Sequence, residues 1–159
     1  MAIEKVRQYF AQYGLADRIL EFSQSSATVA LAAAALHCEE ARIAKTLSFR
    51  TQNGCILVVT SGDCRIDNHK YKEQFGQKAK MLTPEEAVAL IGHAVGGVCP
   101  FAVNEGCEVY LDESLKRFDT VFPACGSSNS AIELTPEQLA QYSNSLGWVD
   151  VCKPIPTEA

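Results

Sequence analysis

Residues 42–62, RIAKTLSFRTQNGCILVVTSG, read as two β-strands joined by a tight turn. Asn53-Gly54 is a strong short hairpin signal, because both residues tolerate the positive φ of a type I′ turn. Ahead of it the side chains alternate. Ile43, Lys45, Leu47 and Phe49 fall on one face, and Ala44, Thr46 and Ser48 fall on the other. The first face is the one a core would take, yet it carries Lys45. An unpaired buried ammonium is costly, so Lys45 must pair, snorkel to water, or meet a ligand.

Working outward, helices and strands interleave. Residues 2–13 form an amphipathic helix that stops at Gly14. A short strand is expected at Arg18–Phe22. Ser25, Ser26 or Thr28 can then cap an alanine-rich helix reaching about Leu36. Beyond the hairpin, residues 67–76 read as a short helix and Ala79–Leu82 as a strand. TPEEAVALIG and TPEQLAQYSNSLG each place a capping threonine before a proline, the signature of a helix start. Glu108–Asp112, Asp119–Cys125, Ser130–Leu134 and WVDVC read as strands, and the last seven residues as a frayed end. The hairpin links favour one α+β domain over residues 1–159, with a mixed or antiparallel sheet, over a doubly wound parallel fold.

Composition narrows the function classes. The chain has 159 residues, 47% of them apolar, enough for one ordinary core. No apolar run is long enough to span a membrane, and the N-terminal helix lacks the layout of a signal peptide, so a cytoplasmic location is expected. The seven cysteines are scattered without a CxxC pair, which points to neither a disulfide framework nor a metal site. His37, His69 and His93 are dispersed and read as surface or capping residues. The net charge is −5, split as +3 over residues 1–82 and −8 over 83–159. The basic half includes HKYKEQFGQKAK, whose Lys70, Lys72, Lys78 and Lys80 form either a weak patch for a phosphate backbone or an ordinary solvated face.

Phosphate loops, zinc-protease motifs and serine-nucleophile elbows are missing from the sequence. Three features remain. Lys45 is one. Gly96–Pro100 (GGVCP) is another, a loop whose glycines allow close backbone approach to a ligand and whose amides can face a developing oxyanion. Cys125–Ala131 (CGSSNSA) is the third, either a plain turn or a pocket rim of short hydroxyls.

In this order and spacing, SATVALAAAALHCEEARIAKTLSFRT, GGVCPF and ACGSSNSAIELTPEQL resemble the YbaK/prolyl-tRNA synthetase-associated editing domain family, over roughly residues 15–150. The resemblance implies an α+β fold with a curved, mixed, mostly antiparallel sheet approaching a barrel and surrounded by helices. It implies a trans-acting deacylase of mischarged aminoacyl-tRNA, with tRNA for proline carrying alanine or cysteine as the expected substrate. No metal or cofactor is expected; prolyl-tRNA synthetase is a candidate partner. Lys45 matches the family lysine near the terminal adenosine and ester. Gly96, Gly97, Val98, Cys99 and Pro100 match the loop beside the aminoacyl carbonyl. Thr28, Thr46, Gly126, Ser127 and Ser128 are the expected substrate-binding positions. An aminoacyl ester is already activated and carries a vicinal hydroxyl, so placing water and polarising the carbonyl are the main tasks. Cys99 is also a candidate covalent nucleophile if His93 activates it. Two other readings compete: a non-catalytic tRNA- or synthetase-binding module, and a hydrolase of another small acyl ester.

Overall fold

The computed structural model describes residues 2–52, 54–94 and 96–156. The 42–62 stretch forms its centre. Strand β2 (Ile43–Thr51) and strand β3 (Gly54–Ser61) pair antiparallel through eight residue pairs, from Ala44 opposite Ser61 to Thr51 opposite Gly54. That register corrects the expected turn. Gly54 is the first residue of β3 and lies in the strand rather than in the turn; Asn53 lies outside the described residues. Gly54 is required for a different reason. Its φ is +154°, and a Cβ there would stand 3.1 Å from the carbonyl oxygen of Gly106, just ahead of the neighbouring strand.

Around the hairpin the sheet is mixed. β3 pairs parallel with β5 (Cys107–Asp112), β5 parallel with β8 (Trp148–Val149), and β2 parallel with β6 (Phe122–Pro123). Two small antiparallel sheets complete it. One joins β1 (Leu20–Glu21) to β7 (Ser130–Ala131); the other joins β4 (Cys64–Ile66) to β9 (Cys152–Pro154). The α+β expectation therefore holds.

The helices start where the local chemistry places them. α1 covers Ala2–Ala11. Thr28 caps α2 (Val29–Leu36) through the Leu31 amide, and Asp67 caps α3 (Asn68–Phe75). Thr83 and Thr135 close capping boxes with Glu86 and Gln138 at the starts of α4 (Pro84–Leu90) and α5 (Pro136–Tyr142).

Several expected elements differ. The strands expected at Arg18–Phe22, Asp119–Cys125 and Ser130–Leu134 shrink to two residues each, Leu20–Glu21, Phe122–Pro123 and Ser130–Ala131. Ala79–Leu82 makes only a bridge, Met81 opposite Phe49. Lys153 and Pro154, expected to fray, are held in β9 by β4; residues 157–159 lie outside the described residues.

The expected core face also needs correction, because both faces of β2 are covered. Ala44 joins Cys55, Leu57 and Val59 of β3 in the main core, whose bulk comes from Phe10, Ile91 and Phe101. Phe49, Ile56 and Val58 pack on the opposite side against Tyr71 of α3 and the C-terminal Val149, Val151 and Cys152. The small residues of β2 face the larger core because the space beside them is filled from helices and loops.

Candidate active site

On its outer side β2 is broken. It meets β6 at Ile43 and Ala44 only. Farther along, the Arg50 amide donates to the Lys80 carbonyl at 2.7 Å, and the Leu82 amide donates to the Ser48 carbonyl at 3.2 Å. Between these contacts lies a gap at Lys45, Thr46 and Leu47. Main-chain groups alternate in direction along a strand. Ser48 and Arg50 turn theirs to this edge, so Thr46 does the same.

A cavity of about 250 Å³ opens at the gap. Ile43–Leu47 form one side, the start of α2 with Thr28, Val29 and Ala32 another, and Gly96 and Val98 a third. Phe122, Ala124, Ser130 and Ala131 close the remainder. Its walls are mainly apolar. Lys45 is the one charged residue among the described lining positions. Lys45 is half-buried. Burial lowers its pKa, opposed by Cys152, Cys64 and Asp63 nearby. Asp63 is already committed, because Arg117 reaches both of its carboxylate oxygens, at 2.6 and 3.1 Å.

Thr46 carries a second unspent group. Its Oγ1 is buried and has no hydrogen-bond partner among the described residues. An orphaned buried hydroxyl costs roughly 1–3 kcal/mol, so Thr46→Val is expected to raise thermal stability by about 1 kcal/mol. If the hydroxyl serves a ligand, the same variant binds that ligand more weakly. Calorimetry and substrate titration on one preparation check both halves.

The glycine loop is held by an interlocking stack. A Cβ on Gly97 would meet the Ser127 amide nitrogen at 2.8 Å and the Gly126 carbonyl carbon at 2.9 Å. Gly126, at φ +92°, is hemmed in the same way: a Cβ there would stand 3.0 Å from the backbone of Ala2. Ser127 Oγ is 2.6 Å from Ser130 Oγ, which joins this turn to the cavity wall. Ser128 holds the other rim, where its carbonyl accepts the Ser26 amide at 2.6 Å. Thr28, Lys45, Thr46, Gly96 and Val98 therefore come together at one cavity, while Gly97, Gly126, Ser127 and Ser128 stand behind or beside it.

Cys99 and Pro100 do not line the cavity. Cys99 is fully buried, and burial pushes its thiol up to about 12. The lysines expected to meet RNA lie apart. Lys72, Lys78 and Lys80 are exposed, whereas Lys70 donates to Asp150 at 3.0 Å and to the Cys152 carbonyl at 3.1 Å. His37 is a left-handed helix cap and His69 is exposed, as expected of surface and capping residues. His93 is not; it is wholly buried, because it closes the base of the glycine loop.

Acid should loosen the fold in two stages. Burial holds the His93 pKa below the usual histidine value. The unfolded chain therefore takes up this proton first as the pH falls below about 6.5, and stability declines from there by up to about 1.4 kcal/mol per pH unit. The Arg117 guanidinium holds the Asp63 carboxyl well below the usual carboxylate range. Its contribution is present above about pH 4 and is lost as the pH falls further. Denaturant melts at pH 7.5, 5.5 and 3.5 should show both losses, with His93→Gln removing the first.

In this fold a half-buried lysine and a glycine loop meet at one cavity on a broken sheet edge. The aminoacyl-tRNA editing domain model matches residues 23–142, and the chain belongs to that family. It is 53% identical over 154 residues to the uncharacterized protein YwhH of Bacillus subtilis (strain 168), covering 96% of this chain and 98% of that one. It is 28% identical over 131 residues to a proline–tRNA ligase of Halalkalibacterium halodurans, covering 82% of this chain and 22% of the ligase. A crystal structure described as a candidate trans-editing enzyme for prolyl tRNA synthetase superposes with a TM-score of 0.86 at 29% identity, over 96% of this chain and 97% of that one. Among the described residues no helix is long and apolar enough to cross a membrane.

The apolar walls supplied by Val29, Ala32, Phe122 and Ala131 were not legible in the sequence. They come from three segments, α2, β6 and β7, with no shared motif. His93 had one signal, its place directly before the glycine loop.

Proposed function

We propose that this protein is a trans-acting aminoacyl-tRNA deacylase that hydrolyses the ester of a mischarged tRNA, with tRNA for proline carrying alanine or cysteine as the foremost substrate. One observation carries the reading: Lys45, the single charged residue among the described lining positions, stands in a gap of the sheet edge at a cavity that Gly96 and Val98 also line. Among the described residues Lys45 has no carboxylate partner, since the neighbouring Asp63 is paired with Arg117.

In this reading Lys45 meets the terminal adenosine and ester. Gly96 and its loop line the aminoacyl carbonyl, where a main-chain donor stabilises the developing oxyanion. Thr46 offers an outward N–H and C=O and its unspent hydroxyl to the aminoacyl group. The vicinal ribose hydroxyl of the substrate helps activate water, so the protein need only position the reactants. The mainly apolar walls at the gap suit a small, uncharged amino-acid side chain. A buried thiol with its pKa at about 12 makes a poor nucleophile, which favours water attack over a covalent route through Cys99. Lys72, Lys78 and Lys80 are available to the acceptor stem as a peripheral contact, and a cytoplasmic location accords with such a substrate.

The test is a deacylation screen. Purified protein is mixed with alanyl-, cysteinyl-, seryl- and threonyl-esters of the tRNA for proline and of other tRNAs. Release of one amino acid, weakening steeply with salt, is the expected result. Intact esters together with tight tRNA binding would replace this reading with that of a binding module.

A further inference from the structure

The loop that forms one wall of the cavity runs from His93 to Phe101, and its two ends are tied by a side chain. His93 Nε2 lies 2.8 Å from the Phe101 carbonyl oxygen. A carbonyl only accepts, so Nε2 carries the proton and Nδ1 is bare. Nδ1 is buried and has no partner among the described residues. The imidazole thus donates its short hydrogen bond across the base of the loop, and its other contact among the described residues is the long one from the same Nε2 to Cys99 Sγ at 3.6 Å.

Both ends of this clasp are anchored. His93 and Phe101 are completely buried, and the Phe101 ring packs edge-on against Phe10 of α1 with centroids 4.8 Å apart. The Cys99 thiol, 3.7 Å from the same carbonyl, adds at most a weak second donor. Above the clasp, the Gly97 amide donates to the Ala94 carbonyl at 3.0 Å, and Gly96 and Val98 face the cavity. A wall built from glycine has little side-chain packing to hold its height. A fixed hydrogen bond at its base supplies what packing does not.

We propose that His93 is a positioning residue of the editing pocket: its Nε2–H, held by the Phe101 carbonyl, fixes the Gly96–Val98 wall at the height that the aminoacyl carbonyl requires. His93 touches no substrate and acts through the loop. The inference rests on the deacylase reading for its kinetic consequence, though the clasp itself does not. Proton uptake at Nδ1 would place a second N–H where no acceptor faces it. The titratable groups around the ring are Lys5 of α1 and the Cys99 thiol on the same loop, with Cys125 behind Cys99. None is a carboxylate, so a protonated ring finds no counter-charge and the clasp loosens.

Two variants separate position from mere bulk. His93→Leu keeps an apolar side chain and loses the donor; His93→Gln returns an N–H at similar reach. With folded fraction matched by circular dichroism, His93→Leu is expected to lower kcat about tenfold or more while KM moves less than roughly threefold. His93→Gln is expected to restore most of kcat. The wild type should lose kcat as the pH drops from 7 to 5, and His93→Gln should lack that component. Equal loss in both variants, or an unchanged acid limb in His93→Gln, would overturn the proposal. Amide hydrogen exchange at Gly97 gives a readout independent of activity. It should speed up about tenfold in His93→Leu and return in His93→Gln. If the wild type cleaves none of the esters, the deacylase reading fails alone, and Gly97 exchange decides the clasp: no change in His93→Leu would refute it.

Discussion

Lys45→Met is expected to lower kcat/KM for ester hydrolysis by about two orders of magnitude, roughly 2.7 kcal/mol of transition-state stabilisation, with the fold intact. Methionine keeps the length of the side chain and removes only the ammonium. The ammonium is the sole charge lining the cavity among the described residues, so no neighbour replaces it. Stability should move the other way. Lys45 is half-buried, and burial disfavours its charge, as its lowered pKa records. Removing the charge removes that desolvation cost, so the melting temperature should hold or rise. Lys45→Ala should lose as much activity and also some stability, because it deletes the packed stem. Steady-state kinetics on the ester found in the screen, with thermal melts alongside, check both effects. Full activity in Lys45→Met would remove the lysine from the chemistry. A loss of activity matched by a loss of folded protein would make it structural.

The second large effect is expected at Gly97. An alanine Cβ there would stand 2.8 Å from the Ser127 amide nitrogen and 2.9 Å from the Gly126 carbonyl carbon. These are backbone atoms and cannot swing aside as a side chain can. Even a Cβ on Gly126 would stand 3.0 Å from the Ala2 backbone, so there is little space behind the turn. The strain must move the loop outward, toward the cavity. Gly97→Ala is therefore expected to cost about 2 kcal/mol of stability, in the range of overpacked interiors. It should also cut kcat/KM by about a hundredfold, since an error near 1 Å in the wall is enough. Gly106→Ala is a useful control. Gly106 has a positive φ, which Gly97 lacks, and a Cβ there meets nothing within 4 Å, so its penalty is conformational alone. Comparable activity in the two variants would show that the contact with Ser127 does not set the wall.

Much of the architecture was legible in the local sequence. The 42–62 hairpin, the alanine helix capped by Thr28 and the two Thr-Pro-Glu helix starts all appear, since each is specified by residues a few positions apart. Short-range chemistry of this kind needs no partner: a threonine hydroxyl finds its amide three residues on, wherever the helix packs. The candidate residues Lys45, Gly96 and Gly126 were singled out for a similar reason, as each is out of keeping with its own local pattern.

What depends on distant chain segments was not legible. The expected core face of β2 was assigned from alternation, but alternation reports the two faces of a strand and not what covers them. Here Phe10 and Phe101 cover one face and Tyr71 the other. Cys99 sat inside the loop motif and read as a candidate nucleophile. The tertiary fold turned it inward, where burial keeps its thiol protonated. His93 read as a surface residue because a single histidine has no local signature of burial; only the loop closing on Phe101 puts it inside. The gap at Lys45–Leu47 is the clearest case. Nothing in IAKTLSF states that its outer edge stays open. It stays open because β6 ends at Ala44 and the 80–82 segment begins at Ser48, and those two limits are set by segments far away in the chain. The sequence determined by itself which local elements form and which residues are chemically out of place. Tertiary structure alone decided that an unpaired stretch of strand, a lysine and a glycine loop face one cavity, because that depends on where three separate segments stop.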